Sequence, residues 1–183
     1  AEKASQVLGI HYRNNLNIPD GGVKVKNEYT TLLIEEIRKT EPKIIFAPYF
    51  NDRHPDHIGA GLLAKDAYFF SGLQKIETFN NGVKQKPYRP QKLFYYMMTY
   101  EFTPSVINDI SDFFVTKMNS IYAYDTQFHN PNSQEPETFI SQPGFLSFIE
   151  AKAKHFGFMI GKNYGEPFYC EEAINFDFSN LIK

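Results

Sequence analysis

The stretch that most constrains the fold is residues 43–57, K-I-I-F-A-P-Y-F-N-D-R-H-P-D-H. Its opening apolar run, Ile44, Ile45, Phe46 and Ala47, has the length and branching of a strand buried on both faces, as in a parallel sheet. Asn51, Asp52, Arg53, His54, Asp56 and His57 crowd the following loop, and a helical apolar pattern through Ile58, Leu62, Leu63 and Ala67 begins beyond them. Strand, loop and helix in that order put polar side chains past the carboxyl end of a strand, where open α/β sheets bind ligands.

The flanks repeat the alternation. A helix is expected over 27–40, with Tyr29, Leu32, Leu33, Ile34 and Ile37 on its apolar face, Glu35, Glu36, Arg38 and Lys39 mostly outside, Asn27 as N-cap and Pro42 as the stop. The helix after the His cluster should run to Ser71 and end at Gly72; Gly59, Ala60, Gly61 and Ala64 allow it to pack closely on a sheet. Residues 74–90, with N-N-G among them, read as an irregular excursion, and 93–98 and 106–110 as further strands. Ser111 or Asp112 can cap a helix carrying Phe113, Phe114, Met118 and Ile121 inward. Residues 126–143 read as a loop, 144–156 as a last helix, and the closing segment as loop plus one edge strand. The pattern is that of an α/β fold with a mainly parallel, helix-flanked sheet.

A chain of 183 residues fits one domain, and a net charge of −2 gives no reason to expect a nucleic-acid or membrane partner. The lone cysteine, Cys170, fits a reducing, cytoplasmic setting. The opening A-E-K-A-S-Q-V-L-G reads as the later turns of a helix closing at Gly9 with no start signal, so sequence is expected upstream.

Two histidines three apart at a helix start can share one side of the first turn, and Pro55 suits that turn because it has no amide hydrogen to leave unpaired. One imidazole can bind a metal while the other moves protons, the division that metal-assisted hydrolysis requires. Polar residues also gather at helix starts simply to cap them, so H-x-x-H alone is a weak signal.

The segment R-H-P-D-H-I-G-A-G-L-L-A-K-D-A-Y-F-F-S-G-L resembles the second signature of the LmbE-like (PIG-L) zinc-dependent de-N-acetylases, and N-L-N-I-P-D-G and I-G-K-N-Y-G-E-P-F-Y match the same family in order. The resemblance implies a Rossmann-like fold and a hydrolase acting on the acetamide of an N-acetylglucosamine conjugate. Within the family the pattern is most similar to the members that act on N-acetylglucosaminyl L-malate in bacillithiol biosynthesis. It implies His57 as a zinc ligand, His54 as the group that stabilises the oxyanion or protonates the departing amine, and Asp56 as the carboxylate holding His54 in register.

Arg53 can pair with a substrate carboxylate or bridge to Asp52 or a neighbouring subunit. Arg89 can reach an anionic substrate or make a structural salt bridge. Glu166 falls in the family's C-terminal motif, in a supporting hydrogen-bond role, and the family suggests a homo-oligomer. The family's A-H-P-D-D-x-E segment, which supplies two further zinc ligands and the general-base Asp, has no counterpart here, and His11, His129 and His155 lack the neighbours to replace it. Residues 1–183 are therefore expected to be the C-terminal portion of a single domain, with the remaining Zn2+ ligands upstream. The rival readings are a deacetylase of another N-acetylglucosamine glycoside and a metal-free sugar-binding or interaction protein.

Overall fold

The structure is a computed structural model that describes residues 1–124, 138–142, 144–175 and 177. Its elements are α1 (Glu2–Val7), α2 (Asn27–Thr40), β1 (Ile44–Pro48), α3 (Pro55–Ser71), β2 (Phe79–Asn80), β3 (Val83–Lys84), β4 (Lys92–Tyr96), β5 (Val106–Asp109), α4 (Phe114–Tyr122), α5 (Phe145–Met159) and β6 (Gly165–Tyr169). They divide between a unit of Leu16–Val106 with Phe168–Lys183 and a unit of Ala1–Asn15 with Ile107–Pro167. Among the described residues no helix is long and apolar enough to cross a membrane.

In the larger unit β1 and β4 pair in parallel from Ile44 opposite Lys92 to Pro48 opposite Tyr96. The end of β6 runs antiparallel to β4, with Tyr169 opposite Tyr95, so the sheet is mixed rather than mainly parallel. Side chains alternate along β1. Ala47 faces Ala64 of α3 together with Leu93 and Tyr95, and Ala67 on α3 joins Ile34 and Ile37 of α2.

The expectation of a strand buried on both faces is corrected by the opposite side of β1. There Ile44 and Phe46 are 44% and 54% exposed, because α2 and α3 both lie on the Ala47 side. Phe46 contacts Phe94 and Phe168 at ring-centroid distances of 5.9 and 5.1 Å, so the open face is aromatic.

Helix α2 has the bounds expected of it, and Glu41 leaves it in the left-handed region at φ 46° ahead of Pro42. Its N-cap is Lys26, in extended backbone, and not Asn27. Arg38, expected outside, is buried. Its guanidinium donates to the carbonyls of Ser71, Leu73 and Ile76 at 3.0, 2.9 and 2.7 Å and to Thr78 Oγ1 at 2.8 Å. It thereby ties α2 to the Ser71 carbonyl at the end of α3 and to the segment that follows the helix. The excursion after α3 is partly ordered: N-N-G forms the turn of the β2–β3 hairpin, with Asn81 and Gly82 at φ 50° and 77°.

In the smaller unit α1 stops at Val7, and Gly9 just beyond it is in left-handed backbone, the closing position its sequence indicated. Residues 111–113 form a 3-10 turn, so α4 starts at Phe114. The shifted phase buries Phe114 with Ile110 and Ala153 and leaves Phe113 outside, against expectation. Helix α5 continues past Gly157, where a side chain would meet the Tyr164 amide at 2.7 Å. Strand β6 has a strand neighbour on each side, so it is not the edge strand expected of the closing segment. Of the expected 126–143 loop, 126–137 and Pro143 lie outside the described residues.

Replacing Arg38 with Met removes hydrogen bonds from four oxygens, two buried and two part-buried, and Arg38→Met is expected to lower unfolding stability by about 3 kcal/mol. Urea titration checks this; an unchanged midpoint would show that these bonds do not hold the helix end.

Candidate active site

The loop at residues 49–54 rises from the carboxyl end of β1 and is seated on aromatic rings: Tyr49 meets Phe50 at 4.5 Å and Phe102 at 4.6 Å, and Phe50 meets Tyr95 edge-on at 5.0 Å. Helix α3 sits close behind it because Gly61 has no side chain. A Cβ there would lie 2.5 Å from the Pro48 carbonyl.

His54 is the N-cap of α3, at φ −93° and ψ 125°. A cap must be non-helical and a residue before proline disfavours the helical region, so both demands fall on His54 and are met together. Its ring Nδ1 accepts the Asp56 amide N–H at 3.1 Å. Capping and a catalytic role are thus compatible here, since the cap engages only one ring nitrogen.

His57 lies on the first turn of α3, its ring stacked on that of His54 with centroids 4.8 Å apart and planes at 29°. Its Nδ1 is 2.5 Å from Oδ2 of Asp52, a carboxylate only 5% exposed. The other Asp52 oxygen accepts the amides of Thr99 and Tyr100, each at 3.2 Å, from the segment after β4. Burial pushes the Asp52 carboxyl up. The hydrogen bonds from His57 and from the Arg53 and Tyr100 amides outweigh it and hold the group below its ordinary value. A histidine whose Nδ1 is tied to a carboxylate keeps Nε2 for a metal, the arrangement common in zinc sites.

The expected partnership of Asp56 with the His54 ring is corrected. The Asp56 carboxylate accepts the Gly21 amide at 2.7 Å and the Val23 amide at 3.2 Å, holding the P-D-G-G-V strap across the start of α3. Gly59 makes this approach possible, because a Cβ there would stand 1.9 Å from the Val23 carbonyl. The carboxylate that does orient a ring is Asp52, which sequence reasoning left out of the site. Its signal was an acidic residue five positions before a histidine, but the amides that bury it are remote in sequence.

Arg53 is an exposed loop residue next to His54. Arg89 belongs to the other end of α3, about 25 Å along a helix of 17 residues. It donates to the Phe69 carbonyl at 2.8 Å and lies 4.7 Å over the Phe69 ring, so it closes the helix end instead of reaching the His cluster. Glu166 accepts from Lys117 Nζ at 2.5 Å within the smaller unit. His155 packs on Phe156, and His129 lies outside the described residues. Among the described residues no three His, Cys, Asp or Glu side chains gather to hold a metal ion. His57 therefore fits one corner of a zinc site, not a complete one.

The family model described as PIG-L, GlcNAc-PI de-N-acetylase, matches residues 1–68, which include the strap, β1 and the His pair. Diacetylchitobiose deacetylase from Thermococcus kodakarensis is 25% identical over 170 residues, 90% of this chain and 58% of its own length. Among solved structures, the conserved protein TT1542 from Thermus thermophilus superposes with a TM-score of 0.83 at 31% identity, over 96% of this chain and 73% of that one. N,N'-diacetylchitobiose deacetylase from Pyrococcus horikoshii, bound to an inhibitor, gives a TM-score of 0.69 at 25% identity, over 98% and 66%. Residues 1–68 thus match the PIG-L (LmbE-like) family model, and the chain has the α/β fold of these solved structures. It spans 58% of the length of the Thermococcus kodakarensis deacetylase.

Gly59→Ala drives a methyl group into the strap, and the variant is expected to lose about 1–3 kcal/mol through overpacking and displaced Asp56 contacts. A thermal unfolding midpoint equal to that of the unmodified protein would contradict the close approach of Val23.

Proposed function

We propose that this chain carries the second half of the active site of a zinc-dependent deacetylase that hydrolyses the acetamide of an N-acetylglucosamine conjugate. The observation that carries the proposal is the Asp52-tethered His57, stacked on His54 past the end of β1, with no hydrogen-bond partner at Nε2 among the described residues. The family match and the deacetylase relatives support it.

When bound, zinc supplies Lewis acidity, which polarises the acetamide carbonyl and makes water a competent nucleophile near neutral pH. His57 would hold the ion through Nε2, with further donors from polypeptide outside the described residues. His54 would donate from its second nitrogen to the developing oxyanion or the departing amine, because its first nitrogen is engaged by the Asp56 amide. Arg53 would face the part of the substrate beyond the sugar, where a fork of donors suits a carboxylate.

An Arg53 contact of that kind would suit N-acetylglucosaminyl L-malate, whose malate carries the carboxylates, and the proposed setting is a cytoplasmic homo-oligomer of the bacillithiol type. The second reading is an uncharged N-acetylglucosamine glycoside, which the names of the two chitobiose deacetylases favour.

Acetate release by the natural gene product tests both readings. His57→Ala should abolish turnover and zinc retention together; His54→Ala should keep zinc and lower kcat by about 100-fold or more. Unchanged turnover in His57→Ala would remove it from the metal site. Arg53→Ala should raise KM for the malate conjugate about tenfold, a loss of about 1.4 kcal/mol, and leave N,N'-diacetylchitobiose unaffected. Faster hydrolysis of the chitobiose than of the malate conjugate would favour the second reading.

A further inference from the structure

We infer that the stacked imidazoles are locked in opposite tautomers, His57 with its proton on Nδ1 and His54 with its proton on Nε2. Two rings 4.8 Å apart then offer unlike groups at the same ring position, a lone pair on Nε2 of one and an N–H on Nε2 of the other.

The assignment follows from what each neighbour can do. Asp52 already accepts two backbone amides through Oδ1, and its carboxylate has no proton to give, so the His57 nitrogen 2.5 Å from Oδ2 has to be the donor. The partner of His54 is a backbone amide, which can only donate, so Nδ1 of His54 has to present its lone pair at 3.1 Å. The neutral ring then carries its hydrogen on Nε2. The two locks are chemically independent: one is a buried side chain tied to the segment after β4, the other the first free amide of α3.

Their opposition makes the H-x-x-H pair asymmetric. Only His57 can give a lone pair to a cation at Nε2, and only His54 can give a hydrogen to an oxyanion from that position. Asp52 and the Asp56 amide are positioning groups, acting through the rings they hold. The use of the asymmetry rests on the deacetylase reading above, but its existence does not.

Long-range 1H–15N correlation spectra of metal-free protein labelled at histidine, recorded well above the ordinary imidazole pKa, read each tautomer directly. The expected result is an Nδ1–H pattern for His57 and an Nε2–H pattern for His54. In Asp52→Ala the His57 pattern should become mixed while that of His54 stays. The same tautomer at both rings, an Nε2–H His57, or a His57 pattern indifferent to Asp52→Ala would overturn the inference. The unmodified protein alone decides if the variant fails to fold. Opposite tautomers without acetate release would sink the proposed reaction and leave this inference standing; acetate release with like tautomers would do the reverse.

Discussion

A carboxylate buried at the end of a sheet has to be answered by donors, and those that answer Asp52 come from both sides of the loop it belongs to. The Thr99 and Tyr100 amides follow β4, and the His57 ring stands on the first turn of α3. One group therefore fixes two chain segments beyond the parallel pair β1 and β4 and sets the angle of the His57 ring. If Asp52 lost its charge, its burial would become easier but the His57 ring would lose the acceptor that dictates which nitrogen faces outward.

The second carboxylate of the motif does a different job with the same chemistry. Asp56 opens α3, where a negative charge is favoured by the helix dipole, and spends its oxygens on the Gly21 and Val23 amides of the strap. Its own amide is left for His54. In this way the P-D-G-G turn, remote in sequence, becomes part of the rim of the site, and Gly59 is small because a backbone carbonyl passes over it. Gly61 does the same on the side of β1, so two glycines two positions apart let α3 approach two different neighbours.

Much of this was legible in residue order, and the division is physical. The bounds of α2 and α3 are local properties, set by Pro42, by Pro55 after a capping residue and by Gly72, and the structure has them where those residues put them. The closeness of His54 and His57 is local as well, since helical spacing alone brings them together. What depends on partners distant in sequence was not legible. Asp52 looks like any loop aspartate until Thr99 is beside it, Arg38 looks like a solvated helix residue until the end of α3 arrives, and Arg89 looks like a free cation until the carbonyl and ring of Phe69 engage it. The exposure of Phe46 belongs to the same class: an apolar run shows that a strand wants burial, not which of its faces receives a helix.

On the proposed reading, Asp52 aims the Nε2 atom of His57 at a metal ion. Anomalous diffraction at the zinc edge, on zinc-loaded crystals of the natural gene product, tests this most directly. The account predicts a peak about 2.0–2.1 Å from His57 Nε2 with the Asp52 contact intact. A peak bound elsewhere, or none beside that nitrogen, would contradict it.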